Sequence, residues 1–234
     1  MGFTPIELPL EKTAPEGRHL AATLFQPESP AAPAPRQLII LMHGWGADSQ
    51  DLLPLAPLLA QDDPQKLVVV PDAPDICSAN PFGRQWFELA SPDLSSGVIA
   101  QACSDAAATI HHMLDSLQKR YSLPASQMVL GGFSQGGMIA LTAGLGFSAS
   151  LGGIFCLSGG WLTPDQALTQ TTDLPIFLAH GDADPVVPIG MMKNSEAALM
   201  AKGFAPQCLV RPSLPHSIDE PVIDGLANFI TKSC

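Results

Sequence analysis

The sequence predicts an α/β protein, with a mostly parallel, doubly wound sheet and helices on both faces. Three observations carry this reading. Strand-like and helix-like segments alternate from His19 onward, the pattern that builds parallel sheets through right-handed crossovers. Residues 38–42 and 67–70 are uninterrupted apolar runs of strand length, as strands covered on both faces require. Finally, apolar residues 128–130 enter Gly132-Phe133-Ser134-Gln135-Gly136 and small or apolar residues follow, a strand, a tight turn and a helix in succession.

Taken in order, residues 19–25 read as a first strand. Residues 26–36, with prolines at 27, 30, 33 and 35, form a stiff surface connection. The apolar run 38–42 exits into His43-Gly44-Trp45-Gly46-Ala47-Asp48, residues 48–61 read as a short helix, and 67–70 is a second buried strand stopped by Pro71. Prolines, Asn80, Gly83, Phe82, Trp86 and Phe87 make 72–97 a loop over a site, a lid or substrate loop, better than a core element. Residues 98–121 carry Ile99, Ala102, Ala106, Ile110, Met113, Leu114, Leu117 and Tyr121 at helical spacing. Strands at 128–130, 153–157, 175–179 and 208–210 follow, with helices at 138–145, 189–202 and 219–232. In the last helix Asp219 is the cap and Pro221 sits in the first turn. No repeat or boundary interrupts the order, so residues 1–234 are expected to form one domain.

Composition narrows the partners. Of 234 residues, 46% are hydrophobic and 14% charged, which suits a globular chain with a large buried sheet. A net charge of −11 with only 11 basic residues argues against nucleic acid and anionic membrane, because phosphate binding needs clustered Lys and Arg. Five scattered cysteines show neither a C-x-x-C pair nor zinc spacing, and read as reduced thiols in a cytoplasm. No signal peptide, lipidation box or membrane-length apolar run is visible, so a cytoplasmic enzyme without a stable membrane anchor is expected.

The turn at 132–136 has the form of a nucleophile elbow. Glycines flank it because a side chain there would clash with the neighbouring strand and helix, and only Ser134 is thrust out. The Gln135 backbone N–H then lies where an oxyanion would form. A serine hydroxyl needs a base, and the base an acid to fix its tautomer. His216, after the last strand, supplies the base. Asp184, after the strand at 175–179, is preferred over Asp182 as the acid, with Asp182 bracing the loop. His43 and His180 precede glycines at strand exits and are read as holding loop geometry, while His111 and His112 belong to a helix face. A metal site from His43, Asp48, His180 and Asp182 lacks ligand spacing, so neither metal nor cofactor is expected. The second oxyanion donor is expected from Trp45, and Phe82, Trp86, Phe87 and Trp161 are candidates to line an apolar acyl pocket with Leu89 and Leu162.

Residues 41–48, Arg84-Gln85-Trp86-Phe87, residues 131–137, residues 180–188 and His216-Ser217 resemble the phospholipase/carboxylesterase family of α/β-hydrolases, which includes the acyl-protein thioesterases. The motifs follow the family's order and span nearly the whole chain. The resemblance implies a serine hydrolase acting on carboxylic esters of short to medium chain or on thioesters. It assigns Ser134, Asp184 and His216 to the triad, Trp45 and Gln135 to the oxyanion positions, and suggests a homodimer. Two positions depart from the family's pattern: Pro215 stands where glycine usually precedes the histidine, and Trp45 stands where leucine is usual. An indole there is expected to narrow the acyl pocket. The alternatives are an acyl-protein thioesterase or lysophospholipase, or a binding protein of the same fold without catalysis.

Overall fold

The computed structural model describes residues 2–9, 19–26, 33–89 and 96–233. Its strands are β1 (Gly2–Pro9), β2 (His19–Gln26), β3 (Gln37–Met42), β4 (Lys66–Pro71), β5 (Asp75–Ile76), β6 (Arg84–Gln85), β7 (Met128–Phe133), β8 (Gly153–Leu157), β9 (Ile176–Gly181) and β10 (Gln207–Arg211). Its helices are α1 (Ala56–Ala60), α2 (Ser96–Tyr121), α3 (Gln135–Gly146), α4 (Gly190–Ala201) and α5 (Glu220–Lys232). Eight strands form one sheet in the order β1-β2-β4-β3-β7-β8-β9-β10. The pairings β1–β2 and β2–β4 are antiparallel, and every pairing from β4 to β10 is parallel.

Successive side chains of a strand point to opposite faces, and this sheet sorts its core accordingly. Leu38, Ile40 and Met42 of β3, with Met128 and Leu130 of β7, join Ile110, Leu114 and Ile139 of α2 and α3 on one face. Ile39 and Leu41, with Val129, Phe155 and Phe177, join Leu59 of α1 and Leu226 and Phe229 of α5 on the other. A strand covered on both faces gains nothing from alternation, which is why β3 is apolar at every position from 38 to 42. Each of these side chains is 0% exposed and is worth about 1.5–3 kcal/mol of burial.

The doubly wound, mostly parallel sheet is as expected, and most element ends fall within a residue or two of the sequence reading. Three elements differ. Residues 48–61 are not one helix: two single 3₁₀ turns, Ser49–Asp51 and Leu53–Leu55, precede the five-residue α1. Pro54 and Pro57 lack the N–H an α-helix would need at those positions, and Asp48 caps the first turn through Gln50 N–H. The edge strand β1 was not expected; it contains Pro5 and Pro9, which are tolerated on an edge strand with no partner on one side. Within the expected lid, residues 75–76 and 84–85 pair as a small antiparallel ribbon. Residues 90–95 of that segment, and 27–32 of the proline-rich connection, lie outside the described residues.

Glycine is required where α3 meets β3. A Cβ on Gly136 would lie 2.1 Å from the Met42 carbonyl oxygen, and one on Gly132 would lie 2.3 Å from the same atom. Alanine normally favours a helix by about 1 kcal/mol over glycine, but a backbone oxygen cannot step aside as a flexible side chain can. Gly136→Ala is therefore expected to lose about 3 kcal/mol through overpacking and to lower the thermal midpoint by about 6–12 °C. Differential scanning calorimetry of the two proteins measures it.

Candidate active site

Ser134 joins β7 to α3 with φ 53° and ψ −119°. For a residue with a Cβ such a conformation costs about 1–3 kcal/mol and persists only where its surroundings over-determine it. Here the surroundings do. The Ser134 N–H donates to Leu157 O at 2.8 Å on β8, its carbonyl accepts Met138 N–H at 3.0 Å in α3, and the Met42 carbonyl closes the third side. A Cβ on Gly44 would lie 3.4 Å from Ser134 Cβ, so the loop after β3 runs directly beside the serine.

The loops after β9 and β10 bring Asp184 and His216 together. His216 Nδ1 lies 2.6 Å from Asp184 Oδ2. Asp184 Oδ1 accepts the Val186 and Val187 N–H groups at 2.8 and 2.9 Å. Burial pushes this carboxyl up, but the His216 bond first and the two amides after it outweigh burial and hold it below the usual carboxylate value. The His216 ring packs tilted against Phe133, the residue before Ser134, with centroids 4.7 Å apart. The two loops are also tied to each other. Asp182 Oδ1 accepts Ser213 N–H at 2.6 Å and Ala183 N–H donates to Leu214 O at 3.2 Å. The Arg211–Asp219 ion pair, 3.0 Å, joins the two ends of the loop that carries His216.

Trp45 and Gln135 flank the serine on the side of β3 and α3. Among the described residues neither backbone N–H donates to a protein acceptor. Their side chains are anchored elsewhere: Trp45 Nε1 donates to Gln85 Oε1 at 3.0 Å. The fully buried Gln135 side chain accepts Trp86 N–H at 2.9 Å and donates to Phe87 O at 2.7 Å. Trp86 Nε1 in turn donates to His43 O at 2.9 Å, and at the Ala47–Arg84 bridge Gly46 N–H donates to Arg84 O at 2.9 Å and Arg84 N–H to Ala47 O at 2.8 Å. Residues 72–89 are thus bonded to the loop after β3 and to the elbow rather than lying over them as a detached lid. This corrects the pocket expectation in part. Trp86 and Phe87 are buried in the core cluster that also holds Met138 and Trp161. Phe82 is 92% exposed, on an open concavity with Gly46, Asp48 and Asp51. It is not brought together with the other three.

The remaining candidates hold loops. His43 Nε2 accepts Ala73 N–H at 3.0 Å, and Asp182 braces the 213 turn as expected. His111 bonds Ala143 O on α3. The four residues weighed as metal ligands are each bonded in place, and no cluster of three such side chains occurs among the described residues. Cys156 sits beneath the elbow, its Sγ 2.7 Å from where a Gly137 Cβ would be, and burial pushes its thiol up to about 12, so it packs as a neutral group. The roles of Gln85 and of the Gln135 side chain escaped the sequence reading, because a glutamine's bonds across more than 40 residues leave no periodic or spacing signal.

An eight-stranded, mostly parallel sheet with a serine on a strained strand-to-helix turn at its centre defines an α/β-hydrolase. The profile of the phospholipase/carboxylesterase family matches residues 25–234, and the chain belongs to that family. Acyl-protein thioesterase 1 of Saccharomyces cerevisiae is 30% identical over 223 residues, covering 85% of this chain and 93% of the relative. Acyl-protein thioesterase 1 of Neurospora crassa is 30% identical over 179 residues, covering 70% and 72%. Among solved structures, esterase PE8 is similar with a TM-score of 0.82 at 27% identity, over 90% of this chain and 97% of that one. SOBER1 of Arabidopsis thaliana, at 22% identity and a TM-score of 0.74, over 85% of this chain and 99% of that one, shares the fold. The protein is a hydrolase enzyme.

Two measurements follow from the buried polar groups. Burial pushes the His43 imidazole below its usual value, against smaller opposing contributions from Gly44 O and the Asp72, Asp48 and Asp51 carboxylates. The unfolded chain therefore takes up a proton near pH 6.5 that the folded protein refuses, and stability falls as pH drops from there toward the lowered folded value. Asp184 acts in a lower window: its contribution is full above the unfolded value and is lost as pH falls through its depressed one. The thermal midpoint is expected to fall between pH 7.5 and 5.5, and His43→Gln to flatten that slope. Gln135→Leu keeps the backbone amide but orphans two buried backbone groups at about 1–3 kcal/mol each. Urea unfolding is expected to register a loss of about 2–5 kcal/mol.

Proposed function

We propose that the protein hydrolyses carboxylic esters of short to medium acyl chain through Ser134, His216 and Asp184, with the Trp45 and Gln135 amides as oxyanion donors. The observation that carries the reading is the 2.6 Å Asp184–His216 bond, formed by loops from two neighbouring strands beside the strained Ser134. In the proposed reaction His216 Nε2 takes the Ser134 proton as Oγ attacks the ester carbonyl, and the two amides receive the charge on the carbonyl oxygen. Collapse of the tetrahedral intermediate expels the alcohol, which leaves with the proton from His216, and an acyl-serine remains. Water, deprotonated by His216, attacks the acyl-serine and the acid departs with Ser134 restored. Asp184, buried and ionised, stabilises the imidazolium that forms in both halves. The neutral, buried Cys156 thiol leaves Ser134 as the nucleophile.

We further propose a single hydrolase domain, supported by the continuous sheet from β1 to β10, with residues 72–97 bordering the substrate. Cys77, Cys103, Cys156 and Cys208 are free thiols, which supports a reducing, cytoplasmic setting. No helix among the described residues is long and apolar enough to cross a membrane. A homodimer rests on the family's tendency alone. A second reading, thioester cleavage on lipidated protein or lysophospholipid hydrolysis, is favoured by the names of the yeast and Neurospora relatives. A bulky, partly exposed Trp45 in the loop that runs beside the serine favours the shorter acyl chains.

The test is hydrolysis of p-nitrophenyl esters from acetate to palmitate by the parent enzyme, Ser134→Ala and His216→Gln. Turnover is expected to peak at short chains and to fall by about 10³–10⁶-fold in each variant, with fluorophosphonate labelling of the parent lost in Ser134→Ala. Turnover of palmitoylated peptide thioester ahead of every p-nitrophenyl ester would favour the second reading. A folded parent that neither labels nor turns over any of these substrates would be a binding protein.

A further inference from the structure

We propose that His180 is a positioning residue for the acid of the triad, holding the Asp184 carboxylate in the orientation that serves His216; the proposal rests on Asp184 being that acid. His180 is the next-to-last residue of β9 and its side chain is 0% exposed. Its Nε2 lies 2.7 Å from Val187 O and 3.3 Å from Asp184 Oδ2. A carbonyl oxygen only accepts, so the proton is on Nε2. Nδ1 is buried and has no partner among the described residues. The Nε2–H thus donates to Val187 O at one end of the 184–187 turn and stands 3.3 Å from the carboxylate at the other.

The same turn folds back on Asp184 through its own amides. Oδ1 is held by the Val186 and Val187 N–H groups and Oδ2 by His216 Nδ1, with His180 Nε2 3.3 Å from Oδ2. With donors on both oxygens the carboxylate cannot rotate without breaking a bond. His180 steadies the turn that presents this carboxylate to His216 by tying its far end, Val187 O, to β9. The orphaned Nδ1 argues for this role. A buried acceptor without a donor costs stability, and a leucine would pack the same space without that cost, so what distinguishes histidine here is the Nε2–H.

The experiment compares His180→Leu, His180→Asn and His180→Gln, each alone and combined with Asp184→Asn, in p-nitrophenyl butyrate hydrolysis normalised to folded protein. Losing the acid costs a triad about four decades, and His180→Leu is expected to remove one to two of them, about 10–100-fold in kcat, with KM changed less than about threefold. Asn cannot reach the Nε2 position and is expected to match Leu, whereas Gln restores an N–H there and is expected to recover most of the loss. In the Asp184→Asn background the His180→Leu change is expected to add less than about threefold, because residues acting as one unit are not additive. Unchanged kcat in His180→Leu, or full additivity with Asp184→Asn, would overturn the proposal while leaving the triad intact. An Asp184→Asn enzyme with parental activity would instead remove the triad reading itself. Should the Leu and Asn variants not fold, ¹⁵N-histidine NMR of the parent decides: a protonated Nδ1 on His180 excludes the shared Nε2–H, and the Nε2–H tautomer sustains it.

Discussion

The Met42 carbonyl is the constraint on which the rest of the site depends. It sits where a Cβ on Gly132 or Gly136 would lie at 2.3 or 2.1 Å, so the end of β3 and the first turn of α3 approach each other backbone to backbone. That approach leaves Ser134 no room for an ordinary strand or helix conformation and drives it to φ 53°. The strain cannot relax, because β7 is held on both sides by parallel ladders with β3 and β8. Gly131 faces the Phe155 ring, where a Cβ would fall at 2.2 Å, and this brings β8 close enough for Leu157 O to accept the Ser134 N–H. The glycines thus set contact distances between neighbouring strands and the helix, and the strained, half-buried serine is the consequence.

Distance from that constraint decides how each loop must be held. Asp184 carries a charge with its side chain out of water, and a buried charge is stable only with donors around it. Those donors come from its own turn and from His216, so the turn must be fixed before the carboxylate can be ionised. Fixing it takes the Asp182–Ser213 bond and the Arg211–Asp219 clamp, which lie nearer the surface. On the other side of Ser134 the buried bonds are made by neutral groups: Gln135 on Trp86 and Phe87, Gln85 on Trp45, Trp86 on His43. One flank of the serine is organised by a carboxylate and the other by amides. A change of pH therefore reaches the flanks differently, through Asp184 at low pH and through His43 nearer neutrality.

What the sequence made legible follows from where the signals are local. The elbow, the fully apolar β3 and β4, and the α5 cap at Asp219 are written within a few residues, and the structure carries each of them; the cap accepts Val222 N–H at 3.2 Å. The preference for Asp184 over Asp182 came from the direction of the turn at Pro185, and the two carboxylates separate accordingly, one onto His216 and the other onto Ser213. The misreadings come from competition between local rules. Residues 48–61 have helical spacing, but Pro54 and Pro57 break it into short turns. β1 contains two prolines that exclude a central strand and leave an edge one open. The acyl-pocket reading failed for Phe82 because an aromatic in a loop carries no local mark of which way it faces.

The 72–89 segment shows why composition alone misjudges a loop. Its prolines and aromatics are what a mobile cover would have, yet its polar residues find partners inside the molecule: Arg84 Nη1 on Ala73 O at 3.0 Å, Asn80 Nδ2 on Gly46 O at 2.8 Å, and Ser78 Oγ on Glu88 Oε1 at 2.8 Å. Opening it would expose Trp86, Phe87 and Cys77 and would break the Gln135 bonds beneath them. Each stripped backbone group would cost about 1–3 kcal/mol where water cannot replace the partner, so several such bonds together outweigh what a surface loop gains in entropy. The segment is therefore a wall continuous with the loop after β3. Movement of Trp45 must draw Gln85 with it, and the position of the Trp45 amide beside Ser134 is set as much by residues 73–88 as by the strand that precedes it.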